Sequence, residues 1–199
     1  MGIYTTKSKW QNFLQPAVNI CVRRRLHPDV FTYGGLALSA IAAWSLLQAG
    51  SDLRWLWLAP VCVLGRLLCN LMDGLVARAS GVADRWGEVK NEFGDRIADV
   101  AIFLGLGLGG YADARLAMPA LTLILCVSYL GILGKAVGGS RVYGGVFGKG
   151  DRMMSLAAFT LYPAITGSLS SYNVYLCLAI SLAAITLIQR LRILHRQTK

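Results

Sequence analysis

Long apolar stretches alternate with short polar connectors along almost the whole chain. The apolar stretches fall at about 30–49, 53–79, 87–111, 116–138, 150–168 and 173–192. Each is near the roughly 20 residues that an α-helix needs to cross a hydrocarbon layer. Ahead of them, Trp10, Phe13, Leu14, Ala17, Val18 and Cys21 recur at helical spacing on one face, and Lys7, Lys9 and Arg23 to Arg25 are placed to meet anionic headgroups. Residues 1–26 therefore read as an amphipathic helix lying at the membrane interface, kinked or interrupted at Pro16. The mostly polar stretch from Thr5 to Gln11 precedes any apolar run, and no small-residue cleavage site follows one, so a cleaved secretion signal is not expected. The pattern predicts an all-α integral membrane protein, with six transmembrane helices in residues 27–199 after the interfacial helix.

Composition sharpens this reading. With 199 residues, 55% of them hydrophobic and 15% charged, little is left over for a soluble domain once the spans are assigned. The net charge of +10 raises the question of nucleic acid. The placement of the cations answers it. Lys7, Lys9, Arg23 to Arg25, Arg78, Arg85, Lys90, Lys135, Arg141, Lys149, Arg152, Arg190, Arg192, Arg196 and Lys199 fall on or near one side of a six-span chain. Arg66 and Arg96 lie within spans, and Arg54 and Arg115 fall by the opposite connectors. That is the positive-inside pattern of a multi-pass protein of the inner cell membrane with both termini in the cytoplasm, and topology accounts for the excess without a nucleic-acid partner. Cys21, Cys62, Cys69, Cys126 and Cys177 sit in apolar helices without metal-ligand spacing, and read as small apolar residues. His27 and His195 lie at element ends, far apart, and offer little to histidine-based chemistry.

The apolar pattern breaks in one region. Six of the ten acidic residues lie between Asp73 and Asp99: Asp73, Asp84, Glu88, Glu92, Asp95 and Asp99. Ionisable groups inside a span are costly and point to function. In the second span, helical spacing puts Asn70, Asp73 and Ala77 on one face, with Gly74 and Arg78 on the adjoining one. In the third, Asn91, Asp95 and Asp99 follow one another at i, i+4 and form a stripe of oxygen donors. The short connector makes the two helices antiparallel neighbours, so the stripes can face each other near the cytoplasmic surface. Several carboxylates in one crevice repel one another unless cations neutralise them. Donors that are all oxygen favour Mg2+ or Mn2+, with Ca2+ as a substitute or inhibitor, over zinc. Magnesium held in this way completes its shell with water and substrate phosphate, so the crevice reads as a phosphate-handling site. Gly74 and Ala77 leave a slot beside the donors, although small residues also let membrane helices pack closely. The active site would then face the cytoplasm.

These residues resemble the CDP-alcohol phosphotransferases (CDP-alcohol phosphatidyltransferase family), whose signature D-x2-D-G-x2-A-R-x8-G-x3-D-x3-D spans the second and third of six helices. Asn70, Asp73, Gly74, Ala77, Arg78, Gly87, Asn91 and Asp95 stand at its positions with every spacing preserved, and the opening Pro28-Asp29-Val30-Phe31-Thr32 is similar to the family's Pro-Asn-x-x-Thr. The resemblance implies six helices around a cytoplasm-facing polar cavity, and a homodimer. It implies transfer of a phosphatidyl (phosphoalcohol) group from a CDP-linked lipid donor such as CDP-diacylglycerol to an acceptor alcohol, with release of CMP, in phospholipid biosynthesis. In the family, aspartates hold two divalent ions on the diphosphate and the last aspartate is the general base. Carried onto this chain, the metal positions are Asn70, Asp73, Asn91 and Asp95, and the nucleotide positions are Thr32, Asp73, Gly74, Ala77, Arg78 and Gly87. Asparagine at 70 and 91 removes two negative charges from the expected cage. Asp99, one turn beyond Asp95, could restore one, either as a ligand or as the base, in a shifted register. The literal register is preferred because only it accommodates Gly87.

The connector between the fourth and fifth spans carries Lys135, Arg141, Lys149 and Arg152 among glycines. Exposed backbone and cations together suit the binding of the donor diphosphate or a phosphorylated acceptor, and would equally suit an ordinary positive-inside loop. Two rival functions remain. A cation or proton transporter would use the same carboxylates but leaves Gly74, Ala77, Arg78 and Gly87 unexplained, and a catalytically silent relative would bind nucleotide or lipid without turnover.

Overall fold

The computed structural model describes residues 7–198, with side chains from residue 13 onward. The side chains of Lys7, Lys9 and Trp10 lie outside the described residues. Seven α-helices follow in order among the described residues: α1 (Lys7–Arg23), α2 (Asp29–Gln48), α3 (Leu58–Ala79), α4 (Arg85–Leu108), α5 (Ala114–Ala136), α6 (Lys149–Thr166) and α7 (Ser171–Gln197). A 3-10 turn, Leu53–Trp57, leads directly into α3. The long helices match the apolar stretches to within a few residues.

Local chemistry sets the ends. Asp84 accepts a hydrogen bond from the Gly87 amide at 2.6 Å and starts α4, Asp113 does the same for α5 through the Arg115 amide at 2.8 Å, and Asp52 caps the 3-10 turn through the Arg54 amide at 2.9 Å. Asp151 reaches back to the Gly148 amide at 3.0 Å at the start of α6. Each carboxylate satisfies amides that a first turn leaves open and sits at the positive end of a helix dipole. Asp84 is thereby committed to capping. Gly167, in the left-handed conformation at φ 74°, closes α6.

Four elements are long and apolar enough to cross a membrane by length and composition: α2, the turn plus α3, α5 and α7. α4 and α6 fall short because they carry the chain's charged stripes. The protein is an integral membrane protein. α2 packs against both α3 and α4, α3 touches α6, α4 touches α5, and α5 pairs with α7. The shared core includes Leu46, Leu56, Ile102, Phe103, Leu106, Ile124 and Leu176, all fully buried.

Close approach of α2 and α4 depends on Gly105. A Cβ there would collide with the Ala43 backbone carbonyl, which a side chain could not push aside. Glycine at helix crossings in membranes lets two backbones meet.

α1 packs on the outside of this bundle. Leu14 and Val18 are buried against Met72 and Val76 of α3, with Cys21 beside them. Phe13, in contrast, is 76% exposed, so the expected apolar face divides between the protein and its surroundings. The helix runs through Pro16 without an interruption.

Gly105→Val is expected to force α4 off α2 and to destabilise the protein by about 1–3 kcal/mol, the usual cost of overpacking. A lowered thermal midpoint of the detergent-solubilised protein would register it.

Candidate active site

The last turns of α3 and the first turns of α4 run antiparallel across the five-residue connector 80–84. They enclose one end of a cleft of about 530 Å3 whose remaining walls come from the start of α2 and the segment before α6. Thr32, Asn70, Asp73, Gly74, Ala77, Arg78, Gly87, Asn91, Asp95, Arg141 and Lys149 all line it. The structure thus brings together every residue of the signature.

Within the cleft the two polar stripes are crosslinked. Asn91 of α4 donates its side-chain amide to the Asp73 carboxylate of α3 at 2.7 Å, and Asn70 of α3 donates to the Asp95 carboxylate of α4 at 2.8 Å. Each carboxylate therefore leans on an amide from the opposite helix. Both carboxylates are buried. The Gly74 amide also donates to Asp73, at 2.5 Å, and the Thr32 hydroxyl reaches it from α2.

The glycines have identifiable work. A Cβ at position 87 would lie 2.8 Å from the Asp84 carboxylate oxygen that caps α4. One at 74 would lie 3.2 Å from the Arg78 guanidinium, which folds back over Gly74 on the cleft wall. Gly74 thus leaves room on the cleft wall for the Arg78 guanidinium.

The connector between α5 and α6 closes the cleft. Arg141 forms an ion pair with Glu92 of α4 and stacks over the Tyr143 ring at 5.0 Å, while Glu92 also holds Arg96 at 2.6 Å. Lys149, the first residue of α6, extends its ammonium to Asp95 at 2.5 Å and also donates to the Asn70 amide oxygen. Lys135 turns elsewhere, to an exposed ion pair with Glu88 at 2.5 Å, and does not line the cleft.

Asp99 and Arg152 differ from expectation. Asp99 is fully buried below the cleft, with one carboxylate oxygen 2.9 Å from Arg152 of α6 and the other 3.4 Å from Arg66 of α3. Both oxygens are engaged by guanidinium groups, and Asp99 does not line the cleft. Arg152 is likewise buried, 1% exposed, donates to Asp99 and does not line the cleft. The shifted register would need Asp99, which the structure places outside the cleft lining.

Arg66 is the important residue that the sequence reading left without a role. It lies four and seven residues before Asn70 and Asp73, on the same helix face, and it also donates to the Asp95 backbone carbonyl at 3.2 Å. That spacing was the available signal. Arg190, counted above among the topology charges, is also buried: it donates to the carbonyls of Gly144 at 2.9 Å and Val127 at 2.6 Å and fastens the α5–α6 connector to the bundle.

The residues suit a hard divalent cation by their chemistry. Asp73 and Asp95 supply carboxylate oxygens, and Asn70 and Asn91 supply amide oxygens beside them. Among the described residues no group of three His, Cys, Asp or Glu side chains gathers as a metal cage, because two of the four positions are amides. In this structure the Lys149 ammonium rests on the Asn70 and Asp95 oxygens.

Residues 25–189 match the family model described as CDP-alcohol phosphatidyltransferase. The chain belongs to that family. Among its relatives, the inner membrane protein YnbA of Escherichia coli K12 is 29% identical over 173 residues, covering 87% of this chain and 86% of that one. The phosphatidylinositol phosphate synthase of Mycolicibacterium smegmatis is 29% identical over 157 residues, 75% of this chain and 68% of that one. Crystal structures of the Mycobacterium tuberculosis phosphatidylinositol phosphate synthase PgsA1 share the fold at 25% identity. The form with CDP-DAG bound gives a TM-score of 0.69 over 90% of this chain and 92% of that one. The complex with manganese and citrate gives 0.73 over 90% and 87%.

Asp99→Asn removes the charge between two buried arginines and is expected to cost about 3–5 kcal/mol of stability, as when one partner of a buried ion pair is lost. In a thermal-unfolding double-mutant cycle with Arg152→Met, the combined loss should fall short of the sum of the single losses.

Proposed function

We propose that this cleft is where the chain carries out metal-dependent CDP-alcohol phosphatidyl transfer in phospholipid synthesis, and that Asp73 and Asp95 are its working carboxylates. The observation that carries the assignment is the pair of crossed Asp–Asn contacts, which set both carboxylates on one wall of a cleft large enough for a nucleotide diphosphate.

The donor is a CDP-linked lipid such as CDP-diacylglycerol, and the acceptor is an alcohol. Gly74 and Ala77 leave space for the nucleotide, and Thr32, Arg78 and Gly87 lie around it. Arg78 and Arg141 bring positive charge to the cleft wall, where the diphosphate or a charged acceptor would lie. Asp73 with Asn91, and Asp95 with Asn70, offer the oxygens that would hold Mg2+ or Mn2+, whose positive charge would offset that on the departing phosphate. Asn70 and Asn91 stand at two of the family's aspartate positions, which weakens and simplifies this cation site. The acceptor hydroxyl attacks the phosphorus on the lipid side, its oxygen bonding there as the bond to CMP breaks. CMP leaves with that electron pair, and the hydroxyl proton passes to Asp95.

The reaction site lies at the membrane surface. The basic residues Arg23, Arg24, Arg25, Arg78, Arg85 and Lys135 cluster toward the ends of helices that bear the cleft, so we assign that surface and both termini to the cytoplasm. In this assignment α2 to α7 form six spans in a membrane domain of residues 27–199. Residues 7–26 belong to an amphipathic juxtamembrane segment whose exposed Phe13 and Ile20 enter the lipid interface. The family resemblance supports assembly as a homodimer.

Purified protein given CDP-diacylglycerol, Mn2+ and a panel of alcohols should release CMP with at least one of them. Asp73→Asn and Asp95→Asn should each abolish that release, while elution and melting show a folded protein. Turnover retained in both variants would defeat the assignment. Chelation with EDTA should stop the reaction, and added Mg2+ or Mn2+ should restore it.

A further inference from the structure

The six ionised groups at the heart of α3, α4 and α6 balance one another. Arg66, Lys149 and Arg152 supply three positive charges, and Asp73, Asp95 and Asp99 three negative ones. The two positions that could have added negative charge are the amides Asn70 and Asn91. The balance is also uneven in space. Asp95 has the Lys149 ammonium 2.5 Å from one oxygen and Arg66 3.5 Å from the other, whereas the side-chain amide of Asn91 and the backbone amide of Gly74 that bond Asp73 are neutral donors. Lys149 is near enough to act on Asp73 as well, but only Asp95 of the two has cations in direct contact, so added positive charge is repelled more strongly at Asp95 than at Asp73.

Lys149 is not a passing surface lysine. It opens α6, whose first turn is fixed by the Asp151 carboxylate on the Gly148 amide at 3.0 Å and, one turn on, by Arg152 on Asp99 at 2.9 Å. Its side chain is 17% exposed, and its ammonium bridges Asn70 and Asp95 across the α3–α4 seam.

We propose that the Lys149 ammonium is a built-in cation on the Asn70–Asp95 side of the cleft, so that the chain takes one divalent ion, at Asp73 with Asn91, and not a pair. The charges of the substrate agree. A diphosphate diester brings two negative charges, which one divalent ion would offset over the neutral six-group cluster; with Arg78 already on the cleft wall, a second ion would only add to a positive excess. The ammonium then faces the diphosphate as a point charge with movable hydrogens, the way lysine serves phosphate elsewhere. This inference rests on the metal-dependent reading of the same cleft.

Counting Mn2+ bound to the purified protein, from the loss of the free-ion electron paramagnetic resonance signal, separates the two claims. One ion per chain is expected for the native protein and for Asn91→Asp, which adds a carboxylate on the Asp73 side and keeps Lys149. Two ions are expected for Asn70→Asp combined with Lys149→Met, with the line broadening of neighbouring spins. No bound ion in the native protein would defeat the metal-site reading itself. Two in the native protein or in Asn91→Asp, or one in the folded double variant, would overturn the role of Lys149 and leave that reading standing. If the double variant does not fold, the native and Asn91→Asp counts still decide.

Discussion

An ionised side chain within a membrane protein's interior must find an opposite charge or a dense set of hydrogen bonds, because no bulk water is at hand to solvate it. That constraint shapes everything between α3, α4 and α6. Asp99 is placed between Arg66 and Arg152, Asp95 between Arg66 and Lys149, and Asp73 against the amide of Asn91. Removing one member leaves a charge stranded in a medium where electrostatic interactions are strong. The lower half of the cluster thereby acts as a rigid floor for the upper half, where a ligand can enter.

The division of labour among the acidic residues follows from depth and from position along each helix. Asp52, Asp84, Asp113 and Asp151 all stand at helix starts and serve as caps. Glu88 and Glu92 are one and two turns further in along α4 and recruit Lys135, Arg96 and Arg141. Among the described acidic residues, only Asp73 and Asp95 combine burial with a place on the cleft wall. A cluster that looks uniform as a string of letters is therefore three different structures.

Much of this was legible beforehand. Length and hydropathy located the helices, because a lipid-facing helix has no alternative way to satisfy its backbone. The fixed intervals from Asn70 to Asp95 located the cleft, since helical periodicity decides which residues share a face. Asp99 shows where that reasoning stops: it continues the same stripe at the same i+4 interval, yet two arginines from other helices occupy it. Those partners, at positions 66 and 152, are 33 and 53 residues away. No local pattern states which long-range ion pairs will form. Around Pro16 the helix is not interrupted, and Leu14 and Val18 on either side of it pack on α3.

The arginine pair around Asp99 has a consequence for how the chain enters its bilayer. α4 and α6 are the two long helices too polar to qualify as spans alone, and Asp99 and Arg152 are each other's means of neutralisation. α4 emerges from the ribosome roughly fifty residues before α6, so for that interval its carboxylate has only Arg66 as a partner. Neutralisation of Asp99 is accordingly complete only once α6 is in place. Packing of the last half of the protein is thus tied to the same ion pairs that lie beneath the cleft.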